Sequence, residues 1–130
     1  INNKLLKYST ILLILVFIQI IYGAFVAGLH AGLIYNNFPF MGEDLIPTDI
    51  LSEKPLAINL INNPITVQFL HRIFGLFILI LSFLLRLEFN KFNIVKKLKI
   101  YGNLLIILLL CQISFGIAIL WLNIPTSLAS

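Results

Sequence analysis

Three uninterrupted apolar runs constrain this chain more than any other feature: about Thr10 to Leu29, about Val67 to Leu87, and about Tyr101 to Leu122. A bilayer's hydrocarbon core takes about 20 apolar residues of helix to cross, and each run supplies that length. Backbone N–H and C=O groups in lipid must bond within their own segment, so runs of this kind become helices. The chain is 60% hydrophobic and 11% charged, with a mean hydropathy of +1.04, whereas soluble domains average about 25% charged residues. The expected fold is all-α, a polytopic membrane helical bundle.

Charge placement orients the spans. Lys4 and Lys7 precede the first run, while Arg86, Lys91, Lys96, Lys97 and Lys99 cluster at the connection between the second and third, expected over residues 88–100. The connection between the first and second, residues 30–66, carries Glu43, Asp44, Asp49 and Glu53 against Lys54. Basic loops stay on the cytoplasmic side, so the N-terminus and the 88–100 connection are expected inside and the 30–66 loop outside. The net charge of +4 then reads as lysines held near anionic headgroups. Membrane lipid is the expected partner, and no nucleic acid is needed.

The first span follows a polar, basic lead of Asn2, Asn3, Lys4 and Lys7, with Ser9 or Thr10 available as a cap. Gln19, Gly23 and Ala27 recur every fourth residue and form one narrow small or polar face, suited to close approach of a neighbouring helix or a flat cofactor. Leu15 to Leu29 can be laid on Leu108 to Leu122, which pairs Gln19 with Gln112, Tyr22 with Phe115 and Gly23 with Gly116. If the first and third spans are equivalent, a fourth should resemble the second. The three spans then belong to a four-helix half-bundle, and a chain running from Ile1 to Ser130 reads as part of something longer. Cys111 has no second cysteine to pair with and reads as a packed small side chain.

The 30–66 loop is long for a compact connection. Leu33, Ile34, Tyr35, Phe38, Phe40 and Met41 are apolar or aromatic, and Pro39, Pro47, Pro55 and Pro64 punctuate short pieces. It is expected to fold back over the outer mouth of the bundle, with Tyr35 and Phe38 as interfacial anchors or as parts of a lid. His30, at the end of the first span, reads as a solvated or loop-bonded side chain.

His71 is the group in most need of explanation, because an ionisable side chain in a span is costly and persists where it has a partner and a task. Four residues at 1.5 Å rise from Val67 put it roughly 6 Å below the outer face. Gln68, His71, Gly75, Ile78 and Ser82 share a stripe, with Gly75 one turn below the imidazole, expected to leave room beside the ring. An imidazole with space for a macrocycle suits an axial haem ligand. Zinc is disfavoured, since no cysteine or carboxylate accompanies His71 in the span. Arg72 is placed to pair with a haem propionate or a lipid phosphate. Spacing alone leaves three readings open: a haem ligand, a buried hydrogen-bonding histidine of a transporter, and a proton-relay residue.

Longer stretches carry a resemblance. The run Gly23 to Met41 (GAFVAGLHAGLIYNNFPFM), then Ile46-Pro47, Asn59-Leu60, and Val67-Gln68-Phe69-Leu70-His71-Arg72, is similar to the C-terminal half of the haem A synthases, the bacterial and mitochondrial type related to the cytochrome oxidase assembly factor. Gly116-Ile117-Ala118 to Ile124-Pro125 resembles the segment leading into that family's last helix.

The resemblance implies an eight-helix enzyme of two similar four-helix halves, of which this chain holds helices five to seven. It implies oxidation of the C8 methyl of haem O to the formyl of haem A, with haem O synthase and the cytochrome oxidase assembly machinery as partners, in a bacterial cell membrane or the mitochondrial inner membrane. It also implies that His71 is an axial ligand to a haem b iron, the cofactor site formed with Gln68, Arg72 and Gly75, and that a second histidine lies beyond Ser130. Gln68 is an amide that takes up no proton in water, Asn62 stands where family members more often carry glutamate, and Asn37 and Phe38 replace the usual Thr and Trp. No residue of this half is therefore expected to be catalytic. A membrane b-type cytochrome and a haem-free transporter or scaffold fragment are the competing classes.

Overall fold

In the computed structural model, which describes residues 2–92 and 94–123, three long helices run up, down and up: α1 (Asn3–Gly28), α2 (Pro64–Lys91) and α3 (Lys96–Trp121). Each is long and apolar enough to cross a membrane. The connection between α1 and α2 contains two 3-10 turns, Ala31–Leu33 and Leu56–Leu60, and one bridge, Met41 to Asp44, with no strand among the described residues. Ile124-Pro125, part of the family resemblance, lies outside the described residues.

All three helices outrun their apolar cores at the basic end. α1 starts at Asn3, capped by Asn2, whose side chain accepts from Lys4 N at 2.8 Å. Ser9 and Thr10 are interior, and the Thr10 hydroxyl donates back to Leu6 O. Lysine, leucine and tyrosine tolerate helix well, so the backbone does not wait for the purely apolar run. The same holds for Arg86 to Lys91 and for Lys96 to Lys99, which shortens the connection expected over 88–100 to residues 92–95. The Lys4 ammonium reaches Glu88 Oε1 at 3.0 Å and Lys91 reaches it at 2.9 Å, tying the start of α1 to the end of α2.

α2 is the middle helix, with α1 and α3 packed against it. Leu12, Ile78 and Leu85 form the buried centre, flanked by Leu15, Leu81, Leu105 and Leu109. α3 comes close at Gly102, where a Cβ would stand 3.0 Å from Arg86 Cδ and 3.3 Å from Phe89. The outer faces stay bare: Phe17 is 62% exposed, Ile20 63% and Phe115 71%, a surface suited to acyl chains. Cys111 is exposed on α3 rather than packed, because α3 meets α2 along its other side.

The 29–63 connection does fold back onto the opposite, loop end. Ala31, Met41 and Pro47 are buried in it, and it is pinned to the start of α2 by asparagines. Asn63 caps α2, accepting from Ile65 N and Thr66 N, with Pro64 in the first turn; proline fits there because its absent N–H is not needed. The Asn63 amide donates to Asn59 Oδ1 at 2.8 Å, and Asn59, fully buried, holds Glu53 N, Glu53 O and Leu56 O. Leu51 N donates to the Thr66 hydroxyl. Buried polar groups need such partners.

Candidate functional site

His71 lies seven residues into α2, roughly 10 Å from its first residue, deeper than a start at Val67 implies because the helix begins at Pro64. It faces α1. Its Nε2 stands 3.5 Å from Gln19 Nε2, and a Cβ built on Gly23 would stand 3.5 Å from its Cε1. A Cβ on Gly75 would stand 3.3 Å from Gln19 Nε2. The antiparallel helices thus interlock through matching i, i+4 pairs: His71 sits in the notch at Gly23, and Gln19 in the notch at Gly75. The room expected beside the imidazole at Gly75 is on α1 at Gly23, and Gly75 receives the amide instead.

The neighbouring site residues turn toward the loop. Gln68 is buried, and its Nε2 donates to Tyr35 O at 3.0 Å. Arg72 donates through Nη1 to Phe40 O at 3.0 Å and through Nη2 to Tyr35 O at 3.4 Å, with its guanidinium 5.7 Å from the Phe38 ring centroid. Its contacts in this chain are therefore to loop carbonyls and an aromatic face, a role not foreseen from its neighbourhood in sequence. Tyr35 lies under Gly42, whose φ of 77° and close approach of 3.2 Å both call for glycine. His30 closes α1 at φ 51°, donating its N–H to Ala27 O and accepting from Leu33 N.

Among the described residues, four buried polar atoms have no protein partner: Gln19 Oε1, Gln68 Oε1, His71 Nδ1 and Arg72 Nε. Such atoms are costly in apolar surroundings and call for something to bond, and all four belong to residues around His71. Among the described residues no three His, Cys, Asp or Glu side chains gather as a metal site, so a bare ion in this span would have His71 alone to hold it. An axial haem ligand asks for one imidazole from a helix and little bulk near the ring; His71 beside Gly23 meets that requirement, and the unpaired polar atoms are consistent with a larger polar-edged occupant.

Asn59, Asn63 and Gln19 carry more of the arrangement than sequence reasoning assigned them. Asn63-Pro64 is a readable helix start. The Asn59 network, formed across a loop, has no such local signal.

Antiparallel spans that enclose one partly buried histidine beneath a folded loop define a multi-pass membrane protein with an imidazole site. The family model described as cytochrome oxidase assembly protein, COX15-CtaA, matches residues 2–130, and the chain belongs to that family. It is 43% identical over 129 residues to the heme A synthase of Wolbachia sp. subsp. Brugia malayi (strain TRS), covering 99% of this chain and 36% of that protein. It is 41% identical over 132 residues to the heme A synthase of Ehrlichia canis (strain Jake), covering 100% and 35%. Against heme A synthase COX15 of Bos taurus it is 40% identical over 116 residues, covering 89% and 28%. The chain thus spans about a third of the length of these curated relatives. No solved structure is a significant match.

Proposed function

We propose that this chain is the C-terminal-half portion of a haem A synthase, an oxidoreductase that converts the C8 methyl of haem O to the formyl of haem A for cytochrome oxidase. In this reading the half represented here holds a b-type haem, with His71 as one axial ligand and a histidine beyond residue 130 as the other. The observation that carries it is the imidazole seated at Gly23 amid unpaired buried polar atoms, in a chain matched over nearly its full length by relatives named heme A synthase.

Each side chain has a definite part. His71 offers a ring nitrogen to iron, Gly23 keeps bulk away from the ring, and Gln68 and Arg72 hold the loop over the outer end through Tyr35 and Phe40. Arg72 Nε remains for a propionate or a lipid phosphate. A bound b-type haem supplies one-electron transfer. Among the described residues no carboxylate stands beside His71 to move a proton, and in this reading the methyl oxidation belongs to the other half of the protein. Haem O is its substrate, haem O synthase and the cytochrome oxidase assembly machinery are its partners, and its setting is the bacterial cell membrane or the mitochondrial inner membrane.

The α3 face bearing Gln112 and Gly116 repeats the Gln19 and Gly23 pattern, and nothing among the described residues stands within 4 Å of a Cβ at Gly116. It is the place for a fourth helix carrying the second histidine.

His71→Ala in the intact protein tests the ligand assignment. The variant should insert normally but lose a b-type component from the reduced-minus-oxidised spectrum; full haem content with an unaltered spectrum would show that His71 does not bind iron. Absence of any Soret band from the parent protein would leave a transporter or scaffold. A b-type spectrum without conversion of haem O would leave an electron carrier.

A further inference from the structure

We propose that the α1–α2 pair binds an anionic phospholipid in its basic half, one acyl chain lying in a groove between the two helices and the phosphate meeting Lys7, Lys4 and Lys91. The inference is independent of the haem reading, because these lysines stand at the opposite end of the spans from His71.

The groove is the first observation. Ile11 and Leu15 of α1 and Phe77, Ile80, Leu81 and Leu84 of α2 line a space of about 250 Å³, to which α3 contributes no side chain. Helix register produces it. Leu12 is buried in one cluster with Ile78 and Leu85, so Ile11 and Leu15 stand at the margin of the helix contact. Ile11, Phe77, Ile80 and Leu84 remain between 39% and 54% exposed. Side chains along an unfilled groove forgo dispersion contacts on one side, and a flexible acyl chain can supply them.

An apolar groove accepts any lipid tail; its end selects the headgroup. Residues four apart share a helix face, so the row Leu15, Ile11 continues on α1 to Lys7, with Lys4 just beyond. On α2 the row Phe77, Leu81, Leu84 continues to Glu88 and Lys91. The step from Ile11 to Lys7 is about 6 Å and that from Leu84 to Lys91 about 10 Å, within the span of a lipid from tail to phosphate. Lys4 and Lys91 both reach Glu88 Oε1, at 3.0 and 2.9 Å, yet half or more of each side chain is exposed. Lys7 is exposed as well. Three ammonium groups around one carboxylate leave positive charge uncompensated at the groove's end. Arg86 is engaged elsewhere, its Nε and Nη1 donating to Asn103 and Asn90. Lysines beside a membrane surface favour anionic headgroups, whereas a phosphatidylcholine headgroup brings a cation of its own. Charge and shape together therefore fit a phosphatidylglycerol-like lipid.

The experiment titrates the intact, detergent-purified protein with phosphatidylglycerol or phosphatidylcholine and reads bound lipid by native mass spectrometry. The parent should take its first phosphatidylglycerol on the order of 10-fold more tightly than phosphatidylcholine. Lys7→Gln should lower phosphatidylglycerol affinity about fivefold and leave phosphatidylcholine unchanged, while Lys7→Arg should match the parent. Ile80→Trp, which fills the groove from its lipid side, should weaken binding of both lipids at this site. A parent that does not distinguish the two lipids overturns the proposal. So does parental phosphatidylglycerol affinity in either Lys7→Gln or Ile80→Trp, since the bound lipid then lies elsewhere and the groove is covered by another part of the protein. Should Ile80→Trp not accumulate in the membrane, Lys7→Gln against Lys7→Arg decides, equal affinities counting against the lipid site.

Discussion

Gly23 and Gly75 serve the same interface with different tolerances. A methyl on Gly23 would rest 3.5 Å from the imidazole, an ordinary contact, whereas one on Gly75 would press on the Gln19 amide at 3.3 Å. Spans in lipid gain little from burying apolar surface against each other and associate by close packing and polar contacts, so these positions matter beyond their size. Gly23→Ala should change the thermal midpoint little, because its methyl meets the imidazole at ordinary contact distance. Gly75→Leu should cost about 1–3 kcal/mol through overpacking and lower the thermal midpoint of the detergent-solubilised protein; equal midpoints for Gly75→Leu and parent would show that the helices do not interlock there. His71 stood out in the sequence because an isolated imidazole in an apolar run is expensive. Its counterpart on α1 was legible only as a polar position on a small-residue face, since nothing along one helix says which residue of another will stand opposite.

Helix starts and the connection they anchor behave as one element. Asn63 closes the first turn of α2 and meets Asn59, which in turn holds the backbone around Glu53. Asn63→Ala removes the cap and leaves Asn59 Oδ1 with Glu53 N as its remaining donor. It should destabilise the protein by about 2 kcal/mol, with faster proteolysis within residues 29–63; an unchanged cleavage rate would separate the loop's order from the cap. Glu88 plays a smaller part at the basic end. Both its lysine partners are half or more exposed, and solvent screening leaves pairs of that kind a small part in stability. The apolar core of each span could be read directly. The extra helical turns could not, because charged residues with good helix propensity leave no hydrophobic mark at a membrane edge.

For the molecule as a whole, the spans' alternation puts the basic residues at one end and the acidic loop at the other. The expected membrane orientation follows from that asymmetry and the positive-inside rule. In a background free of other cysteines, including Cys111→Ser, an impermeant maleimide applied to intact cells should label Lys54→Cys, while Lys97→Cys should react only after permeabilisation. The reverse pattern would invert the topology and place the His71 end on the cytoplasmic side. The Gln112 and Gly116 face of α3 belongs to the same scale, Gly116 having nothing among the described residues within 4 Å of a Cβ placed there.

By itself the amino-acid order determined the membrane class, the three spans, the folded-back loop and the singling out of His71, because hydrophobic length and the cost of a polar group in lipid are properties of one segment. Only tertiary structure decided that Gly23 makes room for the imidazole, that Gly75 takes the Gln19 amide, and that Arg72 grips the carbonyls of Tyr35 and Phe40. Those pairings depend on the register between antiparallel helices and on where a loop returns. Such geometry joins residues that stand far apart along the chain, and no local periodicity encodes it.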